Sequence, residues 1–134
     1  MNNYYKIMKK IKIVYVLFSA LIMFSCSKSE TNLPPVLEDV VISQRFGGRG
    51  FDVGFLITTM QAVDPEEDML LYSIVSQTPA NSVTISSTTG DVFVQDVDSF
   101  QYNLNQQVKV SIKVSDGNSD TTADLIINIE RPQS

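Results

Sequence analysis

The chain contains no histidine and no tryptophan, and Cys26 is its one cysteine. Without histidine neither a Ser–His–Asp nor a Cys–His nucleophile system can be built, and the most frequent ligand of zinc and copper is missing. A lone cysteine closes no internal disulfide, so a hydrophobic core has to supply the stability. Candidate catalytic patterns are thin. Asp96 and Asp98 stand two apart before Phe100, but no cue places them in a substrate cleft, and a solvated loop is the better reading. Gly47-Gly48-Arg49-Gly50 lacks the following Lys-Ser/Thr and the helix that would make it a phosphate cradle, so it reads as a flexible connection. The expectation is a protein that is not an enzyme.

With 134 residues there is room for one domain of ordinary size. Hydrophobic residues make up 43% and charged residues 19%, which suits a globular chain. The net charge of −5 divides into +4 on residues 1–25 and −9 on the rest. So acidic a remainder repels nucleic acid and tolerates cationic partners or bound metal ions.

Residues 1–25 read as a leader. Lys6, Lys9, Lys10 and Lys12 make a basic n-region, and an apolar run follows from Ile13 to Phe24. That run is shorter than the roughly 20 residues a bilayer span requires, and it fits a signal-peptide h-region. Ser25-Cys26 comes next, and the pair resembles a lipobox, in which the cysteine is acylated and becomes the new N-terminus. Met23 and Phe24 are bulkier than the usual residues there, whereas Phe24-Ser25-Cys26-Ser27 is similar to the leader ends of Bacteroidetes-like lipoproteins. An ordinary secretory cleavage and an uncleaved anchor are the alternatives, and the position of the sole cysteine favours lipidation. The resemblance implies removal of residues 1–25, a lipid on Cys26, and residues 26–33 as a flexible tether. Its location would then be the cell envelope, lipid-anchored to the outer membrane, on either face.

From Leu33 onward apolar residues recur with period two between turn residues, the pattern of an all-β sandwich. Val36 to Ser43 suits a first strand. Val53 to Ala62 suits a second, with Val53, Phe55, Ile57 and Thr59 on one face and Leu56, Thr58, Met60 and Ala62 on the other. Leu70 to Val75, Ser82 to Ile85 and Asp91 to Val94 follow. Val108, Val110, Ile112 and Val114, then Ala123, Leu125, Ile127 and Ile129, give the last two strands one inward face each. The expectation is an immunoglobulin-like antiparallel sandwich of about seven strands over residues 34–131, with 132–134 as a tail. Phe46, Phe51, Phe100 and Tyr102 read as core and rim packing rather than as a glycan-stacking face.

Five segments, taken in order, resemble a cadherin repeat. They are Asn32-Leu33-Pro34-Pro35-Val36, Ala62-Val63-Asp64-Pro65-Glu66, Leu71-Tyr72-Ser73-Ile74-Val75, Ile85 with Thr88-Thr89-Gly90-Asp91-Val92, and Val114-Ser115-Asp116-Gly117. The likeness covers Asn32 to Glu130 and implies a module for adhesion, with calcium among its ligands. Asp64 and Glu66 match the acidic pair after the second strand, and Asp116 matches the aspartate before the last hairpin. Loops at one end of such a sandwich would bring Asp64, Glu66, Asp68 and Asp116 together, and calcium requires six to eight hard oxygen ligands. The chain departs from the family elsewhere: Gln44, Gln101 and Asn103 stand where carboxylates are usual, and Arg131-Pro132-Gln133-Ser134 replaces an acidic linker. Only weak calcium binding is therefore expected. The functional reading is a cell-envelope lipoprotein with a cadherin-like adhesion or interaction module, its partner a protein or a glycan. The alternative is an accessory glycan-binding lipoprotein of an outer-membrane uptake system, against which the lack of tryptophan counts.

Overall fold

A computed structural model describes residues 31–133. The expected leader, the lipidation site Cys26 and the tether up to Glu30 lie outside the described residues. The backbone of the fold is a long hairpin, β8 (Gln107–Ser115) and β9 (Asp120–Ile129). Strict alternation explains it: Val108, Val110, Ile112 and Val114 are wholly buried, and they face the core together with Ala123, Leu125, Ile127 and Ile129. Each valine, leucine or isoleucine among them contributes about 1.5–3 kcal/mol on burial. β5 (Leu71–Thr78) lies antiparallel along β8, and β2 (Val40–Gln44) completes the sheet in the order β2-β9-β8-β5. Facing it are β3 (Leu56–Thr59), β7 (Asp91–Val94) and β6 (Val83–Ile85), in the order β3-β7-β6. β1 (Val36–Leu37) and β4 (Ala62–Val63) form a two-stranded pair. Met60, Tyr72, Val83, Val92, Val94 and Phe100 close the core between the sheets.

Three sequence expectations need correction. The first strand is not one element: it breaks at Glu38-Asp39, and β2 runs parallel to β9, Val40 opposite Leu125 through Gln44 opposite Ile129. The sandwich is therefore not wholly antiparallel. The crossing is pinned where Asp39 Oδ1 accepts the Asp124 N–H at 2.8 Å. The second strand does not begin at Val53, because a turn closed by Phe55 N–H to the Asp52 carbonyl (3.0 Å) occupies that position. A bulge between Leu56 and Thr58 then shifts the alternation, so that Ile57 and Met60, three residues apart, both pack into the core. Finally, the segment around Asp98 contains a single 3-10 turn, Val97–Phe100, N-capped by Asp96. Four residues are too few to show helical periodicity, yet the turn drives Phe100 into the core at 1% exposure.

Side chains tie the sheets at their margins. Tyr72 Oη accepts the Ala62 N–H at 3.0 Å. The Gln77 amide engages the Val83 N–H at 2.9 Å and the Val83 carbonyl at 3.2 Å, standing in for a neighbouring strand. Gly90, at φ +74°, is required twice over: the left-handed backbone favours glycine, and a Cβ would collide with the Met60 carbonyl oxygen beside the Tyr72 ring.

Candidate functional site at the tether pole

The acids singled out in the sequence sit where the chain enters the sandwich, at one end of β9. Asp64 follows β4 and is buried, with 7% exposure. Its Oδ1 accepts the N–H groups of Glu66 and Asp68, both at 3.0 Å. Its own carbonyl accepts from Glu67, which takes the left-handed region at φ +63°. Asp64 thus organises the whole loop that follows it. Its other carboxylate oxygen, Oδ2, is buried with no hydrogen-bond partner. An unpaired buried carboxylate oxygen is costly and calls for a donor or a cation.

Asp116 holds the β8–β9 turn. Its Oδ1 accepts the N–H groups of Asn118 and Ser119, each at 2.6 Å, and its Oδ2 accepts from Asn32 Nδ2 at 2.9 Å. The Ser119 N–H first, and then the Asn32 amide, hold the Asp116 carboxyl below its ordinary range. Asn32 Nδ2 also reaches Ser119 Oγ at 3.0 Å, and the next N–H, that of Leu33, donates to Glu66 Oε2 at 3.3 Å. Two consecutive tether residues thereby link the Asp116 turn to the Asp64 loop.

The structure thus gathers Asp64, Glu66 and Asp116 at one pole. Asp68 joins through its backbone N–H, and as a residue it is exposed. Asp120 turns away to Lys113, at 3.2 Å. Among the described residues no three acidic side chains stand close enough together to hold a metal ion. The donor set is a partial one: a buried oxygen without a hydrogen-bond partner, with two further carboxylates that accept from Asn32 and Leu33. Asn32 and Ser119 are the participants that sequence reasoning missed. The signal for Asn32 was its place directly before Leu33-Pro34-Pro35, which stiffens the chain and fixes where the amide points.

The opposite pole is built differently. Phe46 lies 4.9 Å from Phe100 and 5.3 Å from Phe51 between ring centroids, and Phe51 lies 5.7 Å from Phe100. A recess of about 210 Å³ opens beside them, with Gln101, Tyr102 and Asn103 on its wall. The Arg131 guanidinium stands over the Tyr102 ring at 5.7 Å. The aromatics pack on one another as core and rim.

No family model matches the chain, and no curated protein does. Solved structures do. Human protocadherin-24 EC1-2 superposes with a TM-score of 0.60 at 20% identity, over 75% of this chain and 44% of that one. Mouse cadherin-23 EC22-24 gives a TM-score of 0.64 at 16% identity, over 75% and 33%. The protocadherin gammaB4 extracellular domain gives 0.62 at 15%, over 73% and 17%. The fold is that of a cadherin repeat. At these identities the likeness establishes architecture, and the chain spans less than half the length of each of these structures. The cadherin-like domain keeps carboxylates at its tether pole and presents amides and aromatic rings at the other.

Proposed function

We propose that the protein is a cell-envelope lipoprotein whose cadherin-like domain is an adhesion or interaction module acting by binding, not catalysis. The observation that carries this reading is the superposition of three quarters of the chain on cadherin repeats. The lipid on Cys26 supplies retention: each buried CH₂ contributes about 0.8 kcal/mol, and two or more acyl chains anchor where one does not. Mass spectrometry of the membrane-extracted protein should find residues 1–25 missing and a lipid-sized addition on Cys26. A mature protein starting elsewhere removes the anchor from the reading.

The tether pole takes calcium weakly. Asp64 Oδ2, a buried oxygen without a partner, supports this; Glu66 and Asp116, which stand too far off to share an ion with it as placed, would have to leave Leu33 and Asn32 and move inward to add their oxygens. Calcium, when bound, supplies positive charge that neutralises these carboxylates. The residues themselves already set the Asp64 loop and the Asp116 turn in place through main-chain N–H groups, so the fold does not wait for the ion. A dissociation constant of about 10⁻⁴ to 10⁻³ M corresponds, at 1 mM free ion, to about 0.4–1.4 kcal/mol of added stability. Thermal unfolding of the full chain in nonionic detergent, with chelator and then with 1 mM calcium, reads this directly. Asp64→Asn should abolish the difference. Unfolding by chelator alone would mean a complete, tight site, and no calcium response at all would remove calcium from the function.

A further inference from the structure

The four-stranded sheet ends on an uncovered strand. β2 pairs only with β9, in parallel, and no described strand lies on its other side in the order β2-β9-β8-β5. The Gln44 carbonyl accepts the Glu130 N–H at 3.0 Å, which turns the main chain of Gln44 toward β9. Successive residues alternate along a strand, so Val40, Ile42 and Gln44 bond to β9, while Val41 and Ser43 aim their N–H and C=O groups outward. Those outward groups have no hydrogen-bond partner among the described residues.

Edges of this kind are blocked in most proteins by proline, lysine, a bulge or a covering segment. β2 reads Val-Val-Ile-Ser-Gln, with neither proline nor lysine, and its register with β9 runs unbroken over all five residues. Val41 is 63% exposed. A cleft of about 400 Å³ leaves the same flank open beside Val40, with Val36, Thr59, Gln61 and Val63 on its wall.

The two ends of the strand carry opposite charge. Glu38 and Asp39 precede it, Arg45 follows it, and all three are exposed. Turned end for end about Ile42, the stretch is its own complement: Val41 falls opposite Ser43, and Asp39 opposite Arg45. In that register Val41 of one copy and Ser43 of the other exchange reciprocal hydrogen bonds, and the two Ile42 residues form a closely spaced pair. Arg45 meets only Glu130 within its own chain, at 3.5 Å with both side chains half exposed, and such a pair contributes little. Asp39 accepts the Asp124 N–H through one oxygen, so the other can take a cation.

We propose that a second copy of this chain docks on β2, antiparallel and edge to edge, so that the two four-stranded sheets join into one. The Asp39–Arg45 pairs at the ends of the seam set its register. Residues 26–134 carry −9, which opposes any pairing of copies. That field fades over about 8 Å at physiological salt, whereas Asp39 and Arg45 meet in contact. So short a seam makes the association weak and reversible. The inference rests on the reading of the domain as an interaction module, names its partner, and does not involve the calcium site.

The test uses the full chain in nonionic detergent, with chelator present and micelles in large excess over protein. Amide hydrogen exchange is read residue by residue as protein concentration rises from the micromolar to the millimolar range. Val41 and Ser43 should slow by about tenfold or more at the upper end, as new hydrogen bonds protect them. Val40, Ile42 and Gln44, already bonded to β9, should change little. In a mixture of labelled and unlabelled protein, Val40 of one copy should show a magnetic contact with Gln44 of the other, which a parallel pairing would hold far apart. Ser43→Pro deletes an outward N–H at an edge position where proline is tolerated, and should remove the concentration dependence at Val41. Arg45→Glu, a change at an exposed residue, should weaken association about tenfold by setting like charges together at both ends of the seam. Slowing that survives unchanged in either variant would show association through micelles or another face, and overturn the proposal. So would unchanged exchange at Val41 and Ser43 at millimolar protein. Slowing that appears only when a different protein is added would give the edge to a foreign strand: the interaction module would stand and the second copy would be overturned. Because chelator is present throughout, a failed calcium titration and a failed association experiment remain separate results.

Discussion

The two ends of the sandwich are held by different physics. They sit at opposite ends of β9, whose ten residues span roughly 33 Å at ~3.3 Å per residue. At the tether pole, Asn32, Leu33, Asp64, Glu66, Asp116 and Ser119 are joined by hydrogen bonds to carboxylates, and one buried oxygen is left unpaired. At the aromatic pole, Phe46, Phe51 and Phe100 pack ring on ring, with Arg131 over Tyr102. The strands between are common to both, so they do not choose. The lesson is that one pole is organised by carboxylates and the N–H groups they accept, while the other is organised chiefly by apolar contact.

The largest expected effect tests the aromatic pole. Phe100→Ala removes a ring that is 1% exposed and touches Phe46 and Phe51. Denaturant unfolding should show a loss of about 3–5 kcal/mol, the usual range for a buried phenylalanine. The calcium response and the exchange protection of Asn118 and Ser119 should survive in whatever fraction remains folded. Loss of both together would mean that the poles are one coupled unit, and the contrast would fail.

How much of this was legible in the sequence follows the same division. The core of β8 and β9 was readable residue by residue, since a two-residue alternation of valine, isoleucine and leucine admits one inward face. The cadherin-like resemblance of the Asp64, Tyr72, Gly90 and Asp116 segments pointed to the fold that the solved structures show. What could not be read was long-range pairing. Nothing local marks the break at Glu38-Asp39, because both halves of that stretch are equally strand-like and only pairing with Leu125–Ile129 separates them. Likewise Asp64, Glu66 and Asp68 look alike in sequence. Their different roles come from which oxygen is buried and which N–H groups close the loop.

Acid is the next way to break the comparison. Asp116, Asp91 and Asp96 all have carboxyls held below the ordinary value of 3.8, chiefly by the Ser119 N–H, the Thr59 hydroxyl and the Ser99 hydroxyl respectively. A lowered folded pKa means the unfolded chain binds more protons, so this stability is fully present above about pH 4–5 and is lost as pH falls through the folded values. Lys109 is shifted upward, chiefly by its hydrogen bond to Asp124, so its contribution is lost only above its ordinary value of 10.5. Thermal midpoints should therefore be flat from about pH 5 to 10 and decline below about pH 4. Amide resonances of Asn118 and Ser119 should move with that decline. Ring resonances of Phe46 and Phe51 should hold until the domain unfolds. Rings that shift first would place the acid-sensitive element at the aromatic pole, where Asp96 caps the turn before Phe100.

The smallest effect sharpens the comparison most, because it separates the tether from the turn it touches. Asn32→Ala removes the amide that donates to Asp116 Oδ2 and to Ser119 Oγ, but leaves the Ser119 and Asn118 N–H groups on Asp116 Oδ1. The larger influence on Asp116 is the Ser119 N–H, and the Asn32 amide is second. Titration of the variant by carboxyl-carbon resonances should therefore raise the Asp116 pKa relative to the unsubstituted protein, yet keep it below 3.8. Global stability should change little, since the bond is near the surface and water replaces the lost donor. The local consequence is larger: Leu33 N–H, now without its neighbour's anchor, should exchange faster even though Glu66 is untouched. An Asp116 pKa that does not move would show that Asn32 rests on the pole without bonding to it. A pKa restored fully to the ordinary value would show that the tether, rather than the β8–β9 turn, is what organises the carboxylate.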